Sequence, residues 1–185
     1  MQKIAAILLC VLLLGVGQAK PEVPIGPGVL AEALEAAGLR VLPKKRLAKD
    51  FTLPLLSGET RALSSFKGQV VLLNFWATWC NPCTEEMPSM EELYTRLRAH
   101  GLEVLAVNLN EKPKTVADFI QKSGYTFPVL LDQSGKASRK YGIQAIPATF
   151  IIDREGYVIA AVVGSKNWTD PAILAALESC LNAGQ

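Results

Sequence analysis

Histidine is almost missing from this sequence: His100 is the only one in 185 residues. A structural zinc site takes four ligands, commonly two cysteine pairs or a pair plus two histidines, and no such partners accompany Cys80 and Cys83. Covalent haem attachment needs a histidine directly after the second cysteine, where Thr84 stands. An excess of either charge is missing too: 19 Lys and Arg face 17 Asp and Glu, a net of +2. That balance gives no electrostatic footprint for nucleic acid. The basic run Lys44-Lys45-Arg46 falls short of the roughly four to eight clustered charges of polybasic lipid recognition and reads as a solvated linker. Internal repeats and low-complexity segments are absent. So is an apolar run long enough to span a membrane: Ile4 to Val16 reaches only ~20 Å at ~1.5 Å per residue, against a ~30 Å hydrocarbon core.

That short run has another meaning. Lys3 precedes it and Gly17-Gln18-Ala19 follows, with small residues where a signal peptidase reads, so residues 1–19 are predicted to be a secretory signal cleaved after Ala19. An uncleaved membrane anchor is the alternative. Cys10 follows the bulky Leu9, which does not suit lipidation, and is expected to leave with the signal. The remaining chain is of single-domain size and half its residues are hydrophobic, enough to bury a core without disulfide staples.

Residues 20–49 read as an N-terminal extension: an irregular lead through Pro21, Pro24, Gly26 and Pro27, a short helix over Val29–Ala37 ended by Gly38, then linker. Residues 50–185 form the main domain. Phe51–Leu56 and Thr60–Leu63 flank a Ser57-Gly58-Glu59 turn and predict a hairpin. The run Val70–Trp76 predicts a strand buried on both faces. Helix Pro82–Arg98, expected to kink at Pro88, strand Glu103–Asn108, helix Lys114–Ser123 and strand Phe127–Leu131 follow. A short helix near Ala137–Tyr141, a second hairpin around Arg154-Glu155-Gly156, and a terminal helix from Asp170-Pro171 to Leu181 complete the chain. This alternation predicts an α/β fold with a mixed sheet.

The chemistry lies in Trp79-Cys80-Asn81-Pro82-Cys83, where a strand gives way to a helix. At a helix N-terminus, unsatisfied N–H groups and the positive end of the macrodipole stabilise a thiolate and lower its pKa from ~8.5. Cys80 is then the nucleophile that forms a mixed disulfide, and Cys83, one turn on, resolves it. A purely structural disulfide is the competing reading. Glu86 falls on the inward face with Met90, Leu93 and Leu97, three residues after Cys83, where a partly buried acid can accept the thiol proton. As a first-turn acid it would instead serve only the helix dipole.

These residues, with Asp50-Phe51-Thr52-Leu53-Pro54, Phe75–Cys83, Glu86-Met87-Pro88, Tyr141-Gly142-Ile143, Ile146-Pro147 and Thr149–Asp153, closely resemble the TlpA/ResA-like thiol:disulfide oxidoreductases of the thioredoxin superfamily. The resemblance covers Ala48 to about Leu181. It implies the thioredoxin fold, a mixed central sheet flanked by helices, with the N-terminal hairpin and a βα-type insertion from about Pro113 to Leu131. It also implies that Ile146-Pro147 is a cis bond opposite the cysteines presenting backbone to a client peptide, and that an acid stands at the place of Glu86. Asn81 departs from the family's variable dipeptide and leaves the direction of electron flow open. Trp79 is expected to shield the disulfide and join Ile146 and Pro147 in substrate binding.

The resemblance implies an exported, periplasmic or extracytoplasmic enzyme that exchanges electrons with client protein disulfides, acting as a reductant, for example in cytochrome c maturation. It implies a membrane electron donor as partner and no metal or organic cofactor beyond the Cys80–Cys83 disulfide. Two alternatives stand beside it. A peroxiredoxin-like peroxidase wants a threonine three residues before its reactive cysteine, and Ala77 holds that place; a non-catalytic thioredoxin-fold binding module would never turn the dithiol over. Of the remaining candidates, Glu111 sits where some relatives carry a second active-site acid but reads as a solvated loop carboxylate. His100 reads as a helix C-terminal charge, Cys180 as a small core residue, and Trp168 as a loop residue without an assigned role.

Overall fold

The computed structural model describes residues 27–183, so the signal segment 1–19, its cleavage point, Cys10 and the lead up to Gly26 lie outside the described residues. Helix α1, Pro27–Ala36, leads into strand β1, Arg40–Leu47. A small hairpin pairs β2, Thr52–Pro54, with β3, Thr60–Ala62. Then come β4 (Val70–Trp76), α2 (Asn81–Leu97), β5 (Leu102–Leu109), α3 (Pro113–Ser123), β6 (Val129–Asp132), α4 (Lys136–Tyr141), β7 (Ala148–Ile152), β8 (Tyr157–Val163) and α5 (Pro171–Asn182). No helix among the described residues is long and apolar enough to cross a membrane.

The main sheet has six strands in the order β1-β8-β7-β4-β5-β6. β4, β5 and β6 run parallel; β7, β8 and β1 join antiparallel, giving the mixed sheet expected. β4 sits in the middle, and all seven of its residues are buried because helices cover one face and the hairpin with α4 covers the other. Side chains alternate across a strand, so Val70, Leu72 and Trp76 enter the layer beneath α2, while Val71, Leu73 and Phe75 join Phe51, Leu63 and Ala137 opposite. By the same period Asn74 points toward α2.

The helix α2 carries its apolar stripe inward through Cys83, Met87, Met90, Leu93 and Leu97. It continues as one helix on both sides of Pro88. Ser89 Oγ donates to the Glu86 carbonyl at 2.7 Å in the turn around that proline.

The extension departs from the expected linker. Lys44, Lys45 and Arg46 are solvent-exposed as predicted, but they belong to β1, which pairs with β8 and forms the sheet edge. The register shifts between Val41 and Arg46, and this bulge disrupts the alternation by which an amphipathic strand is recognised. Helix α1 packs on α5 with Leu34 only 1% exposed, and Gly38 ends it with φ of 72°, a conformation that glycine adopts freely. At the other edge β6 is four residues long, and its outer side is met by Leu55 and Leu56, the latter donating its N–H to the Val129 carbonyl at 2.9 Å.

Candidate active site

Cys80 is the N-cap residue of α2, with extended backbone, and Pro82 lies in the first turn. The Cys83 and Thr84 N–H groups both donate to the Cys80 carbonyl at 3.0 Å, so the helix starts on Cys80 itself. Cys80 and Cys83 are joined as a disulfide with their Cα atoms 5.2 Å apart. Cys83 is wholly buried, whereas Cys80 keeps 6% of its surface. Of the two, Cys80 is the less enclosed.

The turn before Cys80 is tied down by Glu111, which follows β5. Its carboxylate accepts from the Thr78 N–H at 2.7 Å and from the Thr78 hydroxyl, while Asn108 Nδ2 donates to Oε2 at 2.7 Å. The solvated loop acid expected at this position is thus a clamp joining the end of one strand to the turn that carries the cysteine. Charged acceptors form the stronger hydrogen bonds, which suits a fixed geometry.

Across from the disulfide, the Ile146–Pro147 peptide bond is cis, in agreement with the resemblance, and the Ile146 carbonyl oxygen lies 3.7 Å from Cys80 Sγ. Pro147 is buried and Ile146 half-buried, and the Pro147 carbonyl accepts from the Gly164 N–H at 2.8 Å. Trp79 stands open to solvent. Its side chain is 70% exposed, and Val163, paired with Ala148 beside Pro147, is 69% exposed. Among the described residues these are two of the few large apolar side chains left in solvent, and both adjoin segments of the site.

Glu86 is 2% exposed, on the inward face read from the helical spacing, while Glu85 points to solvent. Oε1 accepts from Asn74 Nδ2 at 2.8 Å; Oε2 accepts from the Lys166 N–H at 3.0 Å and from Trp168 Nε1 at 3.2 Å. Burial pushes the carboxyl up to about 7, against those three donors, which pull it down. A carboxyl at that value can take or give a proton near neutrality.

Two members of this cluster carried no assigned role in the sequence. Trp168 is fully buried, with its backbone N–H on Ser89 Oγ at 3.0 Å and its indole on Glu86. Asn74 is 0% exposed, and its Nδ2 also reaches Thr149 Oγ1 at 2.9 Å, while its Oδ1 has no partner among the described residues. An amide in a strand buried on both faces must find hydrogen bonds, and that signal was available at Asn74. No such signal marks Trp168, which lies 82 residues from Glu86 in the chain.

The other candidates stand apart. His100 ends a short 3₁₀ turn, Arg98–His100, ahead of left-handed Gly101. Cys180 is a free, buried thiol on α5 whose pKa is pushed up to about 12 by burial, with the nearby Asp153 charge adding to the rise. Among the described residues no cluster of three or more His, Cys, Asp or Glu is placed to hold a metal ion.

This arrangement can be set beside known proteins. A sequence model of the AhpC/TSA family matches residues 45–161. The thiol-disulfide oxidoreductase ResA of Geobacillus thermodenitrificans is 41% identical over 123 residues, 66% of this chain and 71% of its own. ResA of Bacillus thuringiensis subsp. konkukian is 39% identical over 119 residues, 64% of this chain and 69% of its own. A crystal structure of a DsbE-type thiol:disulfide interchange protein from Chlorobium tepidum superposes with a TM-score of 0.70 at 36% identity, covering 76% of this chain and 99% of that one. StoA from Bacillus subtilis superposes at 0.60 with 28% identity, covering 69% and 96%. A dithiol at the start of a helix, beside a cis-proline on a mixed sheet, with relatives of this kind, places the chain in the TlpA/ResA-like thiol-disulfide oxidoreductases of the thioredoxin superfamily.

Proposed function

We propose that the protein is exported by residues 1–19 and reduces disulfides of client proteins outside the cytoplasm, with Cys80 attacking, Cys83 resolving and Glu86 managing the proton. The observation that carries this reading is the graded burial of the pair, with Cys80 keeping 6% of its surface, Cys83 fully enclosed, and an acid held near neutrality one turn further along α2. In the reduced enzyme the Cys80 thiolate attacks one client sulfur and expels the other as a thiolate. The Glu86 carboxylate takes the Cys83 proton, and the Cys83 sulfur attacks Cys80 Sγ. The mixed disulfide breaks, the second client thiolate leaves, and two electrons have passed to the client. A dithiol donor at the membrane reverses these steps to restore the enzyme, as in cytochrome c maturation. The cycle uses two sulfurs and one carboxylate and needs no metal or organic cofactor.

Trp79, Ile146 and Pro147 receive the client. The exposed indole and Val163 offer apolar contact near the cysteines and the cis-proline, and the Ile146 backbone lies alongside the attacking sulfur. A peroxidase reading has less support, because Ala77, three residues before Cys80, is buried and carries no hydroxyl.

The test is a trapping and kinetic series. Cys83→Ser is expected to accumulate covalent client adducts and Cys80→Ser almost none; equal trapping by both overturns the assignment of attacking and resolving thiols. Glu86→Gln should form the mixed disulfide at the wild-type rate and resolve it ~10²-fold or more slowly in stopped flow, with Glu85→Gln as the unaffected control. A reduction potential near about −270 mV supports a reductant, and one near about −120 mV reverses the direction.

A further inference from the structure

Glu86 is enclosed, and its proton has few places to go. The Lys166 N–H and the Trp168 indole N–H both point at Oε2, and each is a donor that can never accept. A proton added to the carboxylate therefore belongs on Oε1. There it meets Asn74 Nδ2, which is also a donor in the arrangement that suits the ionised acid. Two donors would face one another inside a buried layer.

The remedy lies in the same cluster. Asn74 and Thr149 are directly paired residues of β4 and β7, which brings their side chains together on the α2 face, and Asn74 Nδ2 bridges Glu86 Oε1 at 2.8 Å and Thr149 Oγ1 at 2.9 Å. The other end of that amide, Oδ1, is buried without a partner. A side-chain amide is nearly symmetric in shape, with donors at one end and an acceptor at the other. We infer that Asn74 is a positioning residue whose amide turns over with the protonation state of Glu86, presenting Nδ2 to the carboxylate and Oδ1 to the carboxylic acid.

The Thr149 hydroxyl can follow, because it accepts from Nδ2 in one state and donates to Oδ1 in the other. Each state keeps two hydrogen bonds at the bridging end of the amide, and no backbone moves. Apart from Glu86 itself, no ionisable side chain among the described residues hydrogen-bonds within this cluster, although the cysteine thiols titrate once the disulfide is reduced. β4 and β7 carry no ionisable side chain. On α2 the nearest are the cysteine pair and the exposed Glu85. In the loop before α5, Lys166 meets Glu86 through its backbone while its Nζ lies beside Gly38, and Asp170 caps α5 through the Ala172 N–H. This inference rests on the reading that Glu86 gains and loses a proton during turnover.

The experiment follows the reduced full-length protein by NMR across pH, reading the Glu86 carboxyl carbon together with the Asn74 side-chain amide. The Asn74 amide protons are expected to exchange their cross-peaks to Thr149 for a new environment, with the same midpoint as Glu86. Amide signals that stay constant through the Glu86 titration overturn the inference and leave Asn74 a fixed donor. A pair of variants reads the same point independently. Trp168→Phe removes a donor to Oε2 that binds the charged carboxylate more strongly than the neutral acid, so it should raise the Glu86 midpoint. Asn74→Leu removes a bond from both protonation states, so its midpoint should move less; the reverse order argues for a fixed donor. Wild-type resolution by Glu86→Gln would sink the catalytic reading of Glu86 yet leave the Asn74 measurements to be judged on their own.

Discussion

Burial and hydrogen bonding pull on Glu86 in opposite directions, and burial wins. Its carboxyl rises from 4.5 to about 7 although three N–H groups converge on it. The sign of the consequence follows from proton counting. Below pH 4.5 the acid is protonated in both folded and unfolded chains and costs nothing. Between 4.5 and 7 the unfolded chain releases its proton while the folded one retains it, so stability falls as pH rises, by roughly 3 kcal/mol at ~1.4 kcal/mol per unit. Glu86→Gln has no such ionisation. Its stability relative to wild type should therefore climb between pH 4.5 and 7 in urea titrations, and a flat difference would mean that the carboxyl titrates normally. The residues around Glu86 also mark where sequence reasoning stops. The helical spacing placed Glu86 inward without help, but its partners come from a neighbouring strand and a distant loop. Asn74 was absorbed into the apolar run Val70–Trp76, where one amide did not disturb the strand pattern. Thr149 and Trp168 join only when β7 and the loop before α5 are folded against α2.

At the scale of elements, the strong periodicities translated directly. The hairpin, the buried central strand, α2, α3 and α5 appear within a few residues of their expected limits, because each was marked by a turn, a proline or an uninterrupted period. β1 was not legible. Its charged centre and Pro43 read as linker, and the bulge between Val41 and Arg46 removes the alternation. Only pairing with β8 makes it a strand. Together α1 and β1 are part of the core rather than an appendage, since Leu34 and Leu39 are 1% and 2% exposed within the same cluster as α5. Leu34→Ala should cost about 2–4 kcal/mol, the usual range for an emptied leucine site, whereas Glu32→Ala on the exposed face of α1 should stay within about 0.5. Equal, small effects in chemical denaturation would show that the helix is dispensable.

For the whole molecule, the informative feature is how the sheet ends. An unpaired edge offers a row of N–H and C=O groups on which another chain can build. Here one edge strand carries Arg40, Lys44, Lys45, Arg46, Pro43 and a bulge, and the other is four residues long with Leu55 and Leu56 laid against it. Replacing Lys44, Lys45 and Arg46 together by threonine should leave dithiol chemistry intact while raising light scattering of the folded protein at high concentration; unchanged scattering would assign the protection to Pro43 and the bulge alone. An enzyme that meets partly unfolded chains works among sticky strands, each able to settle on any open margin. On the proposed reading, an extended visitor meets poor footing at both margins of the main sheet and a berth at the short stretch of backbone at Ile146, whose carbonyl lies 3.7 Å from Cys80 Sγ. Docking and chemistry then become one event, and a chain with no disulfide to offer has little reason to stay.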